Sequence, residues 1–339
     1  MTQISKIVTL ALGAWLLLGG AARAADNLTV QLKWVVQAQF AGYYVAQAKG
    51  FYKDAGLNVT LKPGGPDIDP SQVLAAGGAD VITEWMPAAL AAREKGVPEV
   101  NIAQVFQRSG LELTCRKDSG IRTPADFKGK TLGVWFAGNE YPFLSWMAKL
   151  GYSTDGGPNG VTVLKQGFNV DPLLQKQAAC ISTMTYNEYW QLIEAGMKPS
   201  QLVVFKYQDE GVATLEDGLW TTESRIKDPL MRNRLARFVK ASMRGWEYAI
   251  AHQPEAVNII MAADTSGALG APHQTRQLAE IAKLIEGTGK PGYLDYAAAN
   301  RTVHVLLTGA SKPVITHPPV GAWTHAVWDQ AFAGKVASR

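Results

Sequence analysis

Apolar and polar residues alternate with a strand-like period over residues 29–34, placing Val30, Leu32 and Trp34 on one side. A polar turn follows, Val35-Val36-Gln37-Ala38-Gln39. The period then lengthens to that of a helix carrying Phe40, Tyr43, Tyr44 and Ala48 toward Gly50, and a second short strand reads over 57–61. Strand, helix and strand in this order predict a parallel pair with its crossover helix packed on one face. In such sheets ligands collect beyond the carboxyl ends of the strands. Trp34, Gln37, Gln39, Phe40 and Tyr43 are therefore candidate ligand contacts.

The same punctuation continues downstream. Pro63-Gly64-Gly65-Pro66-Asp67 is a loop, and Asp69-Pro70 is a cap-then-proline start for a helix over 71–76. A buried strand over 79–83 delivers Glu84 and Trp85 to the same edge, where Met86-Pro87 launches a helix running to about Lys95. A strand over 100–106 sets Gln107 and Arg108 just beyond its end. Leu111–Arg116 reads as the first crossing into a second domain, entered through 123–130 and a strand over 131–135. Ala137-Gly138-Asn139-Glu140-Tyr141-Pro142 is then a small-residue turn into a helix over 143–150, and its unpaired N–H groups suit a polar or anionic group. Strands follow over 161–165, 178–183 and 202–205. The second of these ends at Met184-Thr185-Tyr186-Asn187-Glu188-Tyr189, and Asp171-Pro172 caps a helix before it. Gly218–Thr222 is expected to complete the second sheet and return the chain to the first domain. From Asp228-Pro229 onward the spacing is helical, with further helices over 254–262, 275–285, 295–307 and 319–332.

The expected architecture is two α/β domains: 25–116 with 223–339 forming the first, and 117–222 inserted as the second. Two crossing segments make a hinge, the geometry of closure around a ligand.

The run LKWVVQAQFAGYYVAQAKGFYKDAGLNV, with its pattern W-x-x-x-x-x-F-x-x-Y-x-x-A-x-x-K-G-F-Y-x-x-x-G-L, resembles the opening of the solute-binding proteins of the thiamine-pyrimidine-precursor group. These are relatives of the nitrate, sulfonate and taurine binders. The resemblance implies a type II periplasmic binding protein, a monomer that presents a small aromatic solute to the separate permease and ATPase chains of an ABC importer. A riboflavin receptor and an organosulfonate or nitrate receptor are the alternatives on the same scaffold. A pyrimidine-precursor synthase is the third reading. Eukaryotic relatives with that activity resemble one another in a cysteine-rich cluster and an active-site histidine, whereas this chain has two cysteines and no histidine before His252.

Residues 1–24 stand apart from the rest. Lys6 supplies a positive start, 7–18 an apolar run, and Ala22-Arg23-Ala24 a cleavage pattern, so export to the periplasm is expected. A membrane anchor is the competing reading, but the run falls short of the ~20 residues a span requires. Removing the segment takes Lys6 and Arg23 and no acid, lowering the formal charge from +4 to +2. That mild balance argues against a nucleic-acid partner. In an oxidising compartment Cys115 and Cys180 are free to pair, or they remain two inert buried thiols.

No catalytic motif, metal spacing or cofactor fingerprint is present, and the histidines read as helix caps or surface residues. The chemistry lies instead in the strand-end aromatics Trp34, Trp85, Trp135, Tyr141, Tyr186, Tyr189 and Trp220, and in the interleaved acids Glu84, Glu140, Glu188 and Asp209. Rings stacked between aromatics, with a carboxylate accepting their N–H groups, suit an aminated heterocycle, and Glu84 is the expected acceptor. A sulfonate would need donors such as Arg108 and the Asn139 turn.

Overall fold

The structure is a computed structural model that describes residues 25–286, 289–308 and 313–333. The expected export segment, 1–24, lies outside the described residues. In chain order the first sheet is built from β1 (Asp26–Gln31), β2 (Leu57–Lys62), β3 (Val81–Glu84) and β4 (Glu99–Gln104). Helices α1 (Ala41–Ala48), α2 (Phe51–Asp54), α3 (Pro70–Ala75) and α4 (Met86–Glu94) connect them. The chain crosses to a second sheet of β5 (Leu111–Arg116), β6 (Thr131–Val134), β7 (Thr162–Lys165), β8 (Cys180–Met184) and β9 (Leu202–Lys206). Helices α5 (Tyr141–Lys149), α6 (Asp171–Leu174) and α7 (Glu188–Glu194) lie along that passage. It returns as β10 (Gly218–Thr222), followed by α8 (Glu223–Lys227), α9 (Pro229–Ala251), α10 (Gln253–Ala263), α11 (Ala271–Ile285), α12 (Tyr296–Thr308) and α13 (Ala326–Phe332).

The strand orders are β2-β1-β3-β10-β4 and β7-β6-β8-β5-β9. Each sheet has one antiparallel strand in an otherwise parallel set: β10, by which the chain returns, in the first, and β5, by which it enters, in the second. This two-sheet α/β architecture is the one expected from the sequence, with a redistribution at the crossings. Leu111–Arg116, expected on the first-domain side, pairs with β8 and β9 in the second sheet, and Gly218–Thr222, expected to complete the second sheet, pairs with β3 and β4 in the first. Both are short and almost wholly buried, a pattern that marks an interior strand without naming its partner. The crossings themselves are 105–110 and 207–217.

Two further elements depart from expectation. The helix expected over 319–332 begins only at Ala326, because Ala322 and Thr324 bond in extended form to Asn101 on the edge strand β4. The polar stretch after β8 is not a simple strand end but turns into α7. Its Leu192 is buried and packs with Leu173 and Leu202, while Tyr189 and Ile193 lie partly buried against the same group.

Close backbone approach fixes the helix that carries the candidate turn. Helix α1 crosses α9 where Gly42 faces Trp246 and Gly245 faces the Gly42 carbonyl. A Cβ on Gly245 would lie 2.1 Å from that oxygen and 2.8 Å from the Ala46 methyl. In the second lobe, β5 and β8 are joined by the Cys115–Cys180 disulfide, which decides between the two alternatives for these residues.

Gly245→Ala should therefore cost about 1–3 kcal/mol of stability by overpacking a backbone contact that no rotamer change relieves. Denaturant unfolding of the variant against the wild type checks this, and an unchanged midpoint would contradict the close approach.

Candidate functional site

Between the two sheets lies a cavity of about 390 Å³. Its walls come from both lobes because every contributing segment leaves the carboxyl end of a strand or the start of a helix that faces the gap. Trp34 and Trp85 follow β1 and β3, Trp135 and Tyr186 follow β6 and β8, and Phe168 sits between β7 and α6. Across the mouth the Trp34 and Phe168 rings meet edge to face with centroids 4.6 Å apart. Trp135 is oriented by its indole N–H donating to the Gly167 carbonyl at 3.0 Å, whereas the Trp85 Nε1–H is buried without a partner.

A chain of polar groups runs through Gln37 and Gln39 of the cavity wall. Gln277 donates to Gln37 Oε1 at 3.1 Å, Gln37 to Gln39 Oε1 at 2.6 Å, and Gln39 to Asp217 Oδ2 at 2.8 Å. Asp217 Oδ1 has no partner, and burial pushes the Asp217 carboxyl up to about 7. Its neighbour Glu216 accepts from Ser109 Oγ at 2.5 Å and from the Gly110 N–H at 2.9 Å, so the return crossing clasps the outgoing one. Desolvation raises Glu216 to about 8.

The second lobe supplies Glu188. Its carboxylate accepts from the Met184 N–H at 3.0 Å and from Asn187 Nδ2 at 2.7 Å, and burial raises it to about 7 despite those bonds. Among the described residues no cation pairs with it, and neither lysine nor arginine lines the cavity.

Of the sequence candidates, Trp34, Gln37, Gln39, Trp85, Tyr186 and Glu188 come together at this cavity. Phe40 and Tyr43 do not. They lie on the core-facing side of the helix, where Tyr43 packs edge to face on Trp246 at 5.7 Å. Glu84 is also absent from the wall. It forms a buried ion pair with Lys33 and accepts the Trp85 N–H at 2.7 Å, so alternation sends Trp85 to the cavity and Glu84 away from it.

Asn139, Glu140 and Tyr141 build a contact between lobes instead. Glu140 accepts the Gly138 N–H at 2.8 Å, Asn139 donates to the Phe136 carbonyl at 2.9 Å, and Tyr141 packs beside the Ile82 and Met86 cluster. Gly138, at φ +93°, lets this turn approach α4, where a Cβ would lie 2.5 Å from that of Ala88. Arg108 is exposed and lines a separate hollow behind the crossings.

Sequence reasoning missed Phe168, Gln274 and His273, which all line the cavity. His273, expected as a cap or surface group, bonds Glu194 and Asn187 instead. Only the return of α11 to the cleft brings it there, and no local spacing reports that return.

A family model described as NMT1/THI5 like matches residues 37–256. The chain is 24% identical over 241 residues to the formylaminopyrimidine-binding protein of Halalkalibacterium halodurans, covering 70% of this chain and 71% of that protein. It is 24% identical over 240 residues to the riboflavin-binding protein RibY of Chloroflexus aurantiacus, covering 69% of this chain and 65% of that protein. A 4-amino-5-hydroxymethyl-2-methylpyrimidine phosphate synthase of Aspergillus parasiticus matches over 111 residues at 29% identity, 32% of each chain. The solved periplasmic aliphatic sulphonate binding protein SsuA of Escherichia coli superposes with a TM-score of 0.61 at 13% identity, covering 86% of this chain and 92% of that one, a likeness of fold.

Buried acids with raised values make stability fall as pH rises. An unfolded aspartate or glutamate releases its proton near 3.8 or 4.5, whereas Glu188 and Asp217 hold theirs to about 7 and Glu216 to about 8. Their contribution is complete below the unfolded values and is lost as pH climbs through 7 to 8. Unfolding free energy should therefore fall between about pH 5 and 8. Asp217→Asn should narrow that fall, becoming relatively more favourable at the alkaline end; a parallel decline in both proteins would contradict the assignment.

Proposed function

This chain belongs to the NMT1/THI5-like family, and on that premise we propose that it is a periplasmic solute-binding component of an ABC importer. Its two lobes close on a small, flat nitrogen heterocycle, a thiamine-related pyrimidine. One observation carries the ligand class: aromatic side chains and the buried Glu188 line one cavity, and no lysine or arginine stands among the cavity's lining residues. Amino and ring N–H groups would satisfy that carboxylate, while Trp34, Trp85, Trp135 and Tyr186 supply faces for the ring. A sulfonate or nitrate would instead meet Glu188 and Glu194, with His273 the one group able to carry positive charge and already bonded to Glu194.

The crossings 105–110 and 207–217 act as the hinge, clasped by Glu216. Binding, rather than synthesis, fits the side chains. Cys115 and Cys180 are joined to each other, and both nitrogens of His273, the histidine at the cavity, are engaged, which leaves none of these three residues poised for catalysis. The permease and ATPase are separate chains, and the receptor works as a monomer.

Calorimetry with an aminopyrimidine tests the ligand class. Glu188→Gln turns one accepting position into a donor. It should weaken binding by roughly 1.5–3 kcal/mol, or about ten- to a hundred-fold. Glu84→Gln should act otherwise, because it strips the partner from buried Lys33 and lowers stability by about 3–5 kcal/mol. Undiminished aminopyrimidine binding by a folded Glu188→Gln variant would overturn the assignment.

A further inference from the structure

We propose that His273 is a positioning residue for ligand capture: its imidazolium latches α11 of the first lobe to α7 of the second and holds the cleft closed. The inference deepens the closing-cleft reading above and rests on it. His273 Nδ1 lies 2.9 Å from Glu194 Oε2, and its Nε2 lies 2.8 Å from Asn187 Oδ1. Both neighbours are acceptors. Asn187 cannot turn its amide about without cost, because its Nδ2 donates to Glu188 and its Oδ1 also accepts from Gln191 Nε2 at 3.3 Å. A neutral imidazole has only one N–H and would set a lone pair against one of these oxygens. Two N–H groups, and hence a positive charge, satisfy both.

Charged groups of both signs stand near the ring. Glu194 faces His273 directly from α7, and Glu188 stands behind Asn187. Arg276 on α11 opposes it, but turns its guanidinium to Glu194 Oε1 at 3.4 Å and lies over the Trp190 ring at 4.5 Å, adding a second strand to the same latch. The segment Ala38–Phe40 packed against α11 brings amides and no titratable group. On the α10 side, Glu255 pairs with Lys49 and Asp264 caps its own turn. Helix α9 touches α11 as well, and its acid Glu247 makes no ion pair with His273 among the described residues.

The latch and the Gly138–Ala88 contact each join the two lobes. Glu188 Oε1 accepts from Asn187 Nδ2, which keeps Asn187 Oδ1 facing His273. A ligand that places N–H groups on Glu188 therefore favours the closed latch from inside the cavity.

Small-angle scattering of the full chain without any ligand reads the latch directly. The wild type should become more compact as pH falls from about 8.5 to about 5.5, as a latch made by a doubly protonated ring requires. His273→Gln keeps a donor for Asn187 but carries no charge, and should lose that response. Glu194→Gln, at a more exposed position, should weaken it while leaving the melting transition intact. With an aminopyrimidine present at the acid end, His273→Gln should release it about five-fold faster than the wild type, the scale of a partly exposed ion pair. A wild type whose dimensions ignore pH, or a folded His273→Gln variant that compacts like the wild type, would overturn the latch. If the ligand-free response is present but the aminopyrimidine produces no compaction at any pH, the latch stands and the ligand assignment falls.

Discussion

Two adjacent buried acids on the return crossing hold the molecule in register. Glu216 accepts from the side chain of Ser109 and from the backbone of Gly110 and Leu111, so the crossings cannot separate without leaving a buried carboxyl unpaired. Asp217 receives Gln39, and through it the amides of Gln37 and Gln277. The hinge and the cavity wall are thus parts of one hydrogen-bonded system. Asp217 reaches its position with a φ of 30°, a left-handed value that a non-glycine residue adopts only where surrounding bonds hold it.

The division of labour among the acids follows from what stands beside each. Glu84 ends β3 and Glu188 opens α7 after β8, and both are buried. Glu84 has Lys33 beside it and is a structural group; Glu188 has only an amide and a backbone N–H, and keeps its demand for donors. Residue type and burial are the same for the two, and the decisive difference is a lysine one residue before Trp34. A charge neutralised within the lobe has little to offer a ligand, whereas an unneutralised one in a desolvated wall discriminates strongly by charge.

Much of the architecture was legible because the chain punctuates itself well. Asp69-Pro70 and Asp228-Pro229 do cap α3 and α9, and the apolar runs of the first lobe become β1 to β4 close to where their periodicity places them. What sequence could not supply was partner choice. Leu111–Arg116 and Gly218–Thr222 carry no mark of the sheet they join, and the pairing of Cys115 with Cys180 depends on that choice. The site divided in the same way. Residues a turn away from a strand end, such as Trp34, Gln37 and Trp85, were visible, while Phe40 and Tyr43 shared their stretch but faced the core. His273 and Phe168 arrive from distant segments that meet only in three dimensions.

The central claim is that this cleft selects a nitrogen-bearing ring over an anion, because its buried carboxylate lacks a cation. Calorimetric titration of the wild-type protein with an aminopyrimidine and, separately, with taurine tests it most directly. The account predicts saturable one-to-one binding of the aminopyrimidine and no heat from taurine beyond dilution. Saturable binding of taurine with none of the aminopyrimidine would contradict it.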